Sequence, residues 1–254
     1  MEITLKMYLV ILPCVFFASI VDAIAGGGGL ISLPAYMIAG LDYGMASGCN
    51  KFSACFGCLS ATVGYARSGK IRWTPALCGA ALALPGAWLG TQLSFMFSSR
   101  FMQIFMICII PVVAAFMLLH KNRENQQQIV AELPPEGCLL CASIGFLMGL
   151  YDGFFGPGTG TFLILLLSSV LGMDLIGASA TSKVVNLSSN ITSVVTRVVA
   201  GQVIYQIAIP AMALTIIGGQ IGARLSLTKG AKLIRYVMLA VLAGLMVKLI
   251  VEMV

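Results

Sequence analysis

The stretch Val21-Asp-Ala-Ile-Ala-Gly-Gly-Gly-Gly-Leu-Ile-Ser-Leu-Pro34 decides the reading of this chain, because a second version of it follows at Tyr151-Asp-Gly-Phe-Phe-Gly-Pro-Gly-Thr-Gly-Thr161. In each version an aspartate, Asp22 or Asp152, stands four residues ahead of a glycine-rich knot that interrupts a long apolar run. Glycine admits backbone conformations and close approaches that a side chain forbids. In a lipid-embedded chain such a break survives only where protein or a water-filled cavity satisfies the freed backbone groups. Matched breaks in two halves of a membrane chain point to the binding site of a transporter.

Composition places the chain in a bilayer. It has 254 residues, 59% hydrophobic and 9% charged, with mean hydropathy +1.00. Soluble domains carry about a quarter charged residues. Continuous apolar runs, rather than alternating ten-residue segments, exclude a β-barrel. The expected fold is therefore all-α: a polytopic membrane protein built of two inverted repeats with glycine-broken or re-entrant helices. Most of the basic residues behind the net charge of +6 sit in short loops, where the positive-inside rule puts them. That charge is no nucleic-acid signal. Residues 7–21 with Ala23-Ile-Ala25 mimic a signal peptide and its cleavage site, but that site would fall inside the repeated motif, so an uncleaved first helix is expected.

Apolar segments run at roughly 7–25, 30–41, 45–66, 74–95 and 100–119, then 138–155, 160–172, 176–198, 207–223 and 233–253. A polar linker separates the two sets. This divides the chain into a first membrane repeat at 1–120, a cytoplasmic linker at 121–136 and a second membrane repeat at 137–254. The segments after the knots are too short to cross comfortably and read as tilted or re-entrant half-helices.

The repeat extends well beyond the knots. A shift of 132 residues lays Ala46-Ser-Gly-Cys-Asn-Lys51 on Ala178-Ser-Ala-Thr-Ser-Lys183, and Gly86-Ala-Trp-Leu-Gly90 on Gly218-Gly-Gln-Ile-Gly222. The knots themselves align at a shift of 130. Arg67, Lys70 and Arg72 lie in a loop whose counterpart at 199–206 is uncharged, while Arg224, Lys229, Lys232 and Arg235 answer to Arg100 alone. Equivalent loops then face opposite sides, with both termini outside and the linker inside. The small residues of Gly86-xxx-Gly90 and Gly218-xxx-Gly222 read as helix-packing surfaces.

Charged groups well inside membrane segments are Asp22, Lys51, Asp152, Lys183 and Arg197. Intramembrane charge is costly and marks functional candidates. Arg197, near a helix end and opposite Tyr65 in the repeat, reads as a snorkelling side chain. Lys51 follows Asn50; Lys183 follows Ser182, with Asn186 and Asn190 continuing a polar stripe at helical spacing. Lysine charge, amide donors and a helix N-terminus make an anion site. The candidate binding residues are Gly26, Gly27, Gly28, Gly29, Asn50, Lys51, Gly156, Pro157, Gly158, Thr159, Gly160, Ser182, Lys183 and Asn186, with Asp22 and Asp152 as proton carriers. The competing structural reading has the aspartates neutralise the lysines and pin helices together.

Cys55-Phe-Gly-Cys58 and Cys138-Leu-Leu-Cys141 have redox spacing, which raises a transmembrane thiol–disulfide carrier as a rival. Neither pair recurs in the other half, so the eight cysteines read as small buried filler and a disulfide framework is not expected. With His120 the only histidine, no metal site is expected. No phosphate-binding loop or nucleophile–base set is visible, so neither a cofactor nor an enzyme is expected.

These motifs resemble a known family. Asp22 with Gly26 to Gly29, then Ala46, Asn50, Lys51 and Gly69-Lys-Ile71, is similar to the first half of the TauE/SafE sulfite-exporter family. Gly156-Pro-Gly-Thr-Gly-Thr-Phe162 followed by Ala178-Ser-Ala-Thr-Ser-Lys183 and Asn186 is similar to its second half. The likeness is strongest to the YfcA-type branch of membrane transporters. The resemblance implies secondary transport, as an exporter, of small sulfur-containing anions such as sulfite, sulfoacetate or related sulfonates, coupled to an ion gradient in a bacterial inner membrane. It also implies about eight spanning helices, which agrees with ten segments if the two short ones re-enter. The expected partners are a small anionic substrate and the bilayer; a homo-oligomer is compatible with the chain. A passive anion channel using the same site is the remaining alternative.

Overall fold

The computed structural model describes residues 3–102, 104–105 and 135–253. The expected segment at 100–119 falls almost wholly outside the described residues, and the linker with Lys121 and Arg123 entirely so. Among the described residues every regular element is a helix. They are α1 (Leu5–Ala25), α2 (Gly29–Ile38), α3 (Tyr43–Arg67), α4 (Trp73–Phe95), α5 (Pro135–Phe154), α6 (Thr159–Leu171), α7 (Leu175–Val199) and α8 (Tyr205–Met253), the last broken at Gly230. The expected segments at 207–223 and 233–253 are thus the two arms of α8. Leu5–Ala25, Trp73–Phe95, Gly137–Phe154 and Tyr205–Gly230 are long and apolar enough to cross a bilayer. Leu9, Phe17, Leu77, Trp88, Leu147 and Ile217 lie exposed on them, an outer surface suited to lipid rather than water.

At the centre α3 and α7, which are repeat equivalents, cross antiparallel. Lys51 reaches Asn190, Cys58 donates to the Lys183 carbonyl, and Tyr65 meets Ser179. Both helices start from an aspartate cap: Asp42 accepts from the amides of Gly44 and Met45, and Asp174 from Gly177. Each such cap satisfies amides that the first helical turn leaves unpaired.

The short helices return the chain rather than carrying it across. Tyr8 near the start of α1 bonds the Gln206 carbonyl, and Cys49 near the start of α3 contacts Ile204, so both helices begin at one end of the α3–α7 pair. The second half does the same from the other end. Cys138 at the start of α5 is joined to Cys78, and Thr181 near the start of α7 accepts from the Arg72 amide. With ten residues, α2 is about 15 Å long, half the hydrocarbon thickness.

Glycine lets the long helices touch backbone to backbone. A Cβ on Gly218 would stand 2.7 Å from the Phe16 carbonyl, and one on Gly222 would meet the Ile20 carbonyl. One on Gly86 would strike the Phe146 carbonyl and one on Gly90 the Leu150 carbonyl. Phe16 and Ile20 are the repeat counterparts of Phe146 and Leu150, so α1 lies on α8 as α5 lies on α4, each long helix packing against the other half. The glycine pairs are packing surfaces, as their spacing suggests.

Cysteine usage departs from expectation. Cys78 and Cys138 form a disulfide across 60 residues, tying α4 to α5, while Cys141 stays free and buried. The C-x-x-C spacing concealed this, because the partner lies on the neighbouring glycine-packed helix.

Candidate functional site

The site forms where the two knots meet. Gly26 has φ +78° and Gly156 φ +94°, a region open to glycine and strained for other residues. Gly26 lies directly on the backbone of Gly160 and Thr161, and Gly160 reciprocates: a Cβ on it would stand 2.6 Å from the Gly26 Cα. Gly29 faces Pro157 in the same way, at 3.2 Å. Thr161 seals the contact by donating to the Ala25 carbonyl at 2.7 Å.

Around this contact the four repeat-paired charges join in two crossed ion pairs. Lys51 Nζ lies 2.7 Å from Asp152 Oδ1, and Lys183 Nζ 2.8 Å from Asp22 Oδ2. Each lysine takes its carboxylate from the opposite half. Lys51 also donates to Asn190 Oδ1 at 3.3 Å, and Ser189 donates to Asp152 Oδ2 at 2.7 Å. Lys183 further donates to the Asp22 carbonyl. The remaining oxygen of Asp22 accepts from the Gly28 amide at 3.4 Å, so a carboxylate already occupies the N-terminus of α2.

The sequence-derived candidates fall into three groups. Asp22, Asp152, Lys51, Lys183 and Asn186 belong to the charged centre, Asn186 by accepting from Asn190 Nδ2. Gly28, Gly29 and Asn50 line a cavity of about 30 Å³ with Asp22, Ser32 and Cys58; that is room for a water or two. The side-chain Oδ1 of Asn50 finds no partner there. The rest build the knots: the Gly27 carbonyl accepts from Leu30, Gly158 caps α6 with φ +87°, Thr159 donates to the Gly156 carbonyl, and Tyr151 donates to the Pro157 carbonyl. Ser182 spends its hydroxyl on the Ser179 carbonyl of its own helix. Sequence reasoning passed over Ser189, which answers to Gly57 in the repeat and so carried no paired signal.

The cavity is not lined alike in the two halves. Its residues Ala18, Ser32 and Ser53 are answered in the second half by the larger Met148, Phe162 and Val185. The C-x-x-C pairs are not disulfides: Cys55 and Cys58 are both free. Among the described residues no cluster of histidine, cysteine and carboxylate side chains could hold a metal.

Spanning apolar helices around a buried, crossed ion-pair centre define a multi-pass membrane protein. Comparison with known proteins then places it: the family "Sulfite exporter TauE/SafE" matches residues 11–249, and the chain belongs to that family. A "Probable membrane transporter protein" of Haemophilus influenzae is 36% identical over 230 residues, covering 89% of this chain and 88% of the relative. The Escherichia coli K12 "Probable membrane transporter protein YfcA" is 33% identical over 237 residues, covering 92% and 86%. No solved structure matches. The protein is a membrane transporter of the TauE/SafE type.

Proposed function

We propose that the chain moves small sulfur-containing oxyanions, such as sulfite, sulfoacetate or related sulfonates, by a proton-coupled secondary mechanism centred on Lys51 and Lys183. The crossed pairing of Lys51 with Asp152 and of Lys183 with Asp22 is the observation that carries this reading. A buried lysine held by a carboxylate is a neutral unit. An incoming oxyanion competes with that carboxylate, and a proton on the aspartate frees the lysine for the anion. By linkage, the anion and the proton then favour each other's binding. Asn50, Asn190 and the α2 amides around Gly28 supply donors beside the charge. The antiparallel α3–α7 pair and the opposed hairpins support an inverted repeat in a bacterial inner membrane. In that arrangement the two halves rock about the knot contact, and the small cavity is the closed form of the site.

The test is flux in proteoliposomes. Uptake of labelled sulfite, sulfoacetate or taurine is expected to respond to an imposed pH gradient and to vanish in Lys51→Met. Flux indifferent to the gradient would mark a passive channel. Flux lost on replacing Cys55 and Cys58 by serine would favour the thiol carrier.

A further inference from the structure

Arg197 does not snorkel. It is 1% exposed, which overturns the expectation from its place near the end of α7. Nη1 donates to Gln202 Oε1 at 2.8 Å, Nη2 to Ser94 Oγ at 3.1 Å, and Nε finds no acceptor. The guanidinium lies 5.5 Å from the Phe95 ring centroid. Neither ion pair among the described residues includes it. Asp152, already paired with Lys51, lies within electrostatic reach but not in contact. A buried charge with no counter-charge of its own is strongly unfavourable, and the helix C-terminus beside it compensates only a fraction. A second orphan sits close by. The Tyr43 hydroxyl, at the start of α3, is buried with no hydrogen bond of ordinary geometry, Ser47 of its own helix being its nearest side-chain partner, and lies within electrostatic reach of Arg197. Gln202 links the two, since its side chain also packs on Gly44.

The repeat isolates this cluster as something added to the scaffold. Arg197 answers to Tyr65, whose hydroxyl is fully satisfied by the Ala23 carbonyl and Ser179. Tyr43 answers to Leu175. The buried position at one end of the α3–α7 pair is thus held by a satisfied neutral tyrosine, and its equivalent at the other end by a cation that no carboxylate contacts among the described residues. Between them a file of buried polar groups on α7 runs Lys183, Asn186, Asn190, Ser193, Arg197. Arg197 is seven residues from Asn190, the level of Lys51, and so about 10 Å along the helix.

We propose that Arg197, Tyr43 and Gln202 form an anion-binding station distinct from the lysine–aspartate centre, for a small oxyanion presenting two acceptor oxygens to the guanidinium edge. Guanidinium geometry suits such a bidentate contact. The burial of Arg197 excludes a lipid headgroup and means that the anion enters when this end of the pair opens. The anion's onward route to Lys51 rests on the transport reading above; its binding at Arg197 does not.

Equilibrium binding separates the two. The purified full chain in detergent is titrated with sodium sulfite and sodium sulfate, against sodium chloride at matched ionic strength, while its thermal unfolding is followed. A native-state ligand raises apparent stability saturably. In the wild type both oxyanions are expected to raise the melting temperature beyond chloride. The half-saturating concentration should rise at least tenfold in Arg197→Gln, which keeps donors for Gln202 and Ser94, and less in Arg197→Lys. Tyr43→Phe removes only a hydroxyl that makes no hydrogen bond of ordinary geometry, so the fold is retained if Arg197→Gln misfolds; at least threefold weakening is expected. Unchanged half-saturation in Tyr43→Phe and in a folded Arg197→Gln, or no oxyanion effect in the wild type, overturns the proposal. Arg197-dependent binding without flux would leave the station standing and sink the transport reading; flux without such binding would do the reverse.

Discussion

Lys51 and Asp152 are 2.7 Å apart although each belongs to a different half of the chain, and Lys183 and Asp22 repeat the relationship with the halves exchanged. Neither half can neutralise its own lysine. Ion pairing therefore ties the halves together where the glycine knots touch, and whatever moves one half against the other must carry or break these pairs.

The two pairs should not be equally costly to break. The Asp152 side chain is 3% exposed and that of Asp22 is 24% exposed. Lys51→Met strands Asp152 in a dry site and is expected to cost about 3–5 kcal/mol. Lys183→Met leaves Asp22 able to take up water, and should cost less. Lys51→Met/Asp152→Asn removes both charges and should recover most of the loss, the coupling of a contacting pair. Denaturation in detergent measures all three. Equal losses for the two single lysine variants would contradict the burial argument.

Alanine at the knots should discriminate between two mechanical causes. Gly26→Ala puts a side chain at φ +78° and into the Gly160 backbone, so both knots must part; little folded protein is expected. Gly28→Ala meets the Ala18 carbonyl and stands 2.6 Å from the Asp22 Cβ, pushing that carboxylate off Lys183. Gly158→Ala adds the strain of a left-handed residue at φ +87°, roughly 1–2 kcal/mol. Melting temperatures should therefore fall in all three, and furthest in Gly26→Ala, which combines strain with a backbone clash. A rise in any of them would mean that the chain runs there as unbroken helix.

Much of this was legible in the sequence, for physical reasons. A glycine knot beside an intramembrane aspartate is visible because both violate what lipid tolerates, and the repeat locates each feature twice. Helix limits follow from apolar run length, so α1, α3, α4 and α7 lie close to the expected segments. What escaped depends on a neighbour far away in the chain. Arg197 is placed near a helix end, and only the packing of Ser94, Phe95 and Gln202 around it shows that its head never reaches water. Cys138 appears paired by spacing with Cys141, yet its sulfur partner is Cys78 on an adjacent helix. Ser189 breaks the repeat and so left no paired trace.

The disulfide offers a reading of orientation. Cys78 lies at the same end of the helices as Arg67, Lys70 and Arg72, basic residues that the positive-inside rule assigns to the cytoplasm. Thiols there are kept reduced. Alkylating intact cells with N-ethylmaleimide before lysis is therefore expected to trap Cys78 and Cys138 as thiols, with the disulfide forming on exposure to air. Finding the bridge already formed in living cells would put that end outside and reverse the assignment, with the Arg197 end then facing the cytoplasm.

The last prediction concerns coupling. In Asp152→Asn the amide keeps the shape of the carboxylate and can still serve Ser189, but it carries no charge and takes up no proton. Lys51 then keeps Asn190 as a partner and loses its counter-ion. An oxyanion no longer competes with a carboxylate for Lys51, so it should bind more tightly and with less dependence on pH than in the wild type. Uphill accumulation needs the aspartate to give up its proton and reclaim the lysine after release, and that step is gone. Counterflow exchange, which moves one anion in for each anion out, does not need it. In proteoliposomes loaded with sulfite, Asp152→Asn should retain exchange to within severalfold of the wild type and show no accumulation under an imposed pH gradient. Accumulation that persists in the variant would take the proton away from Asp152. The same measurement on Asp22→Asn would then decide whether the other crossed pair holds it.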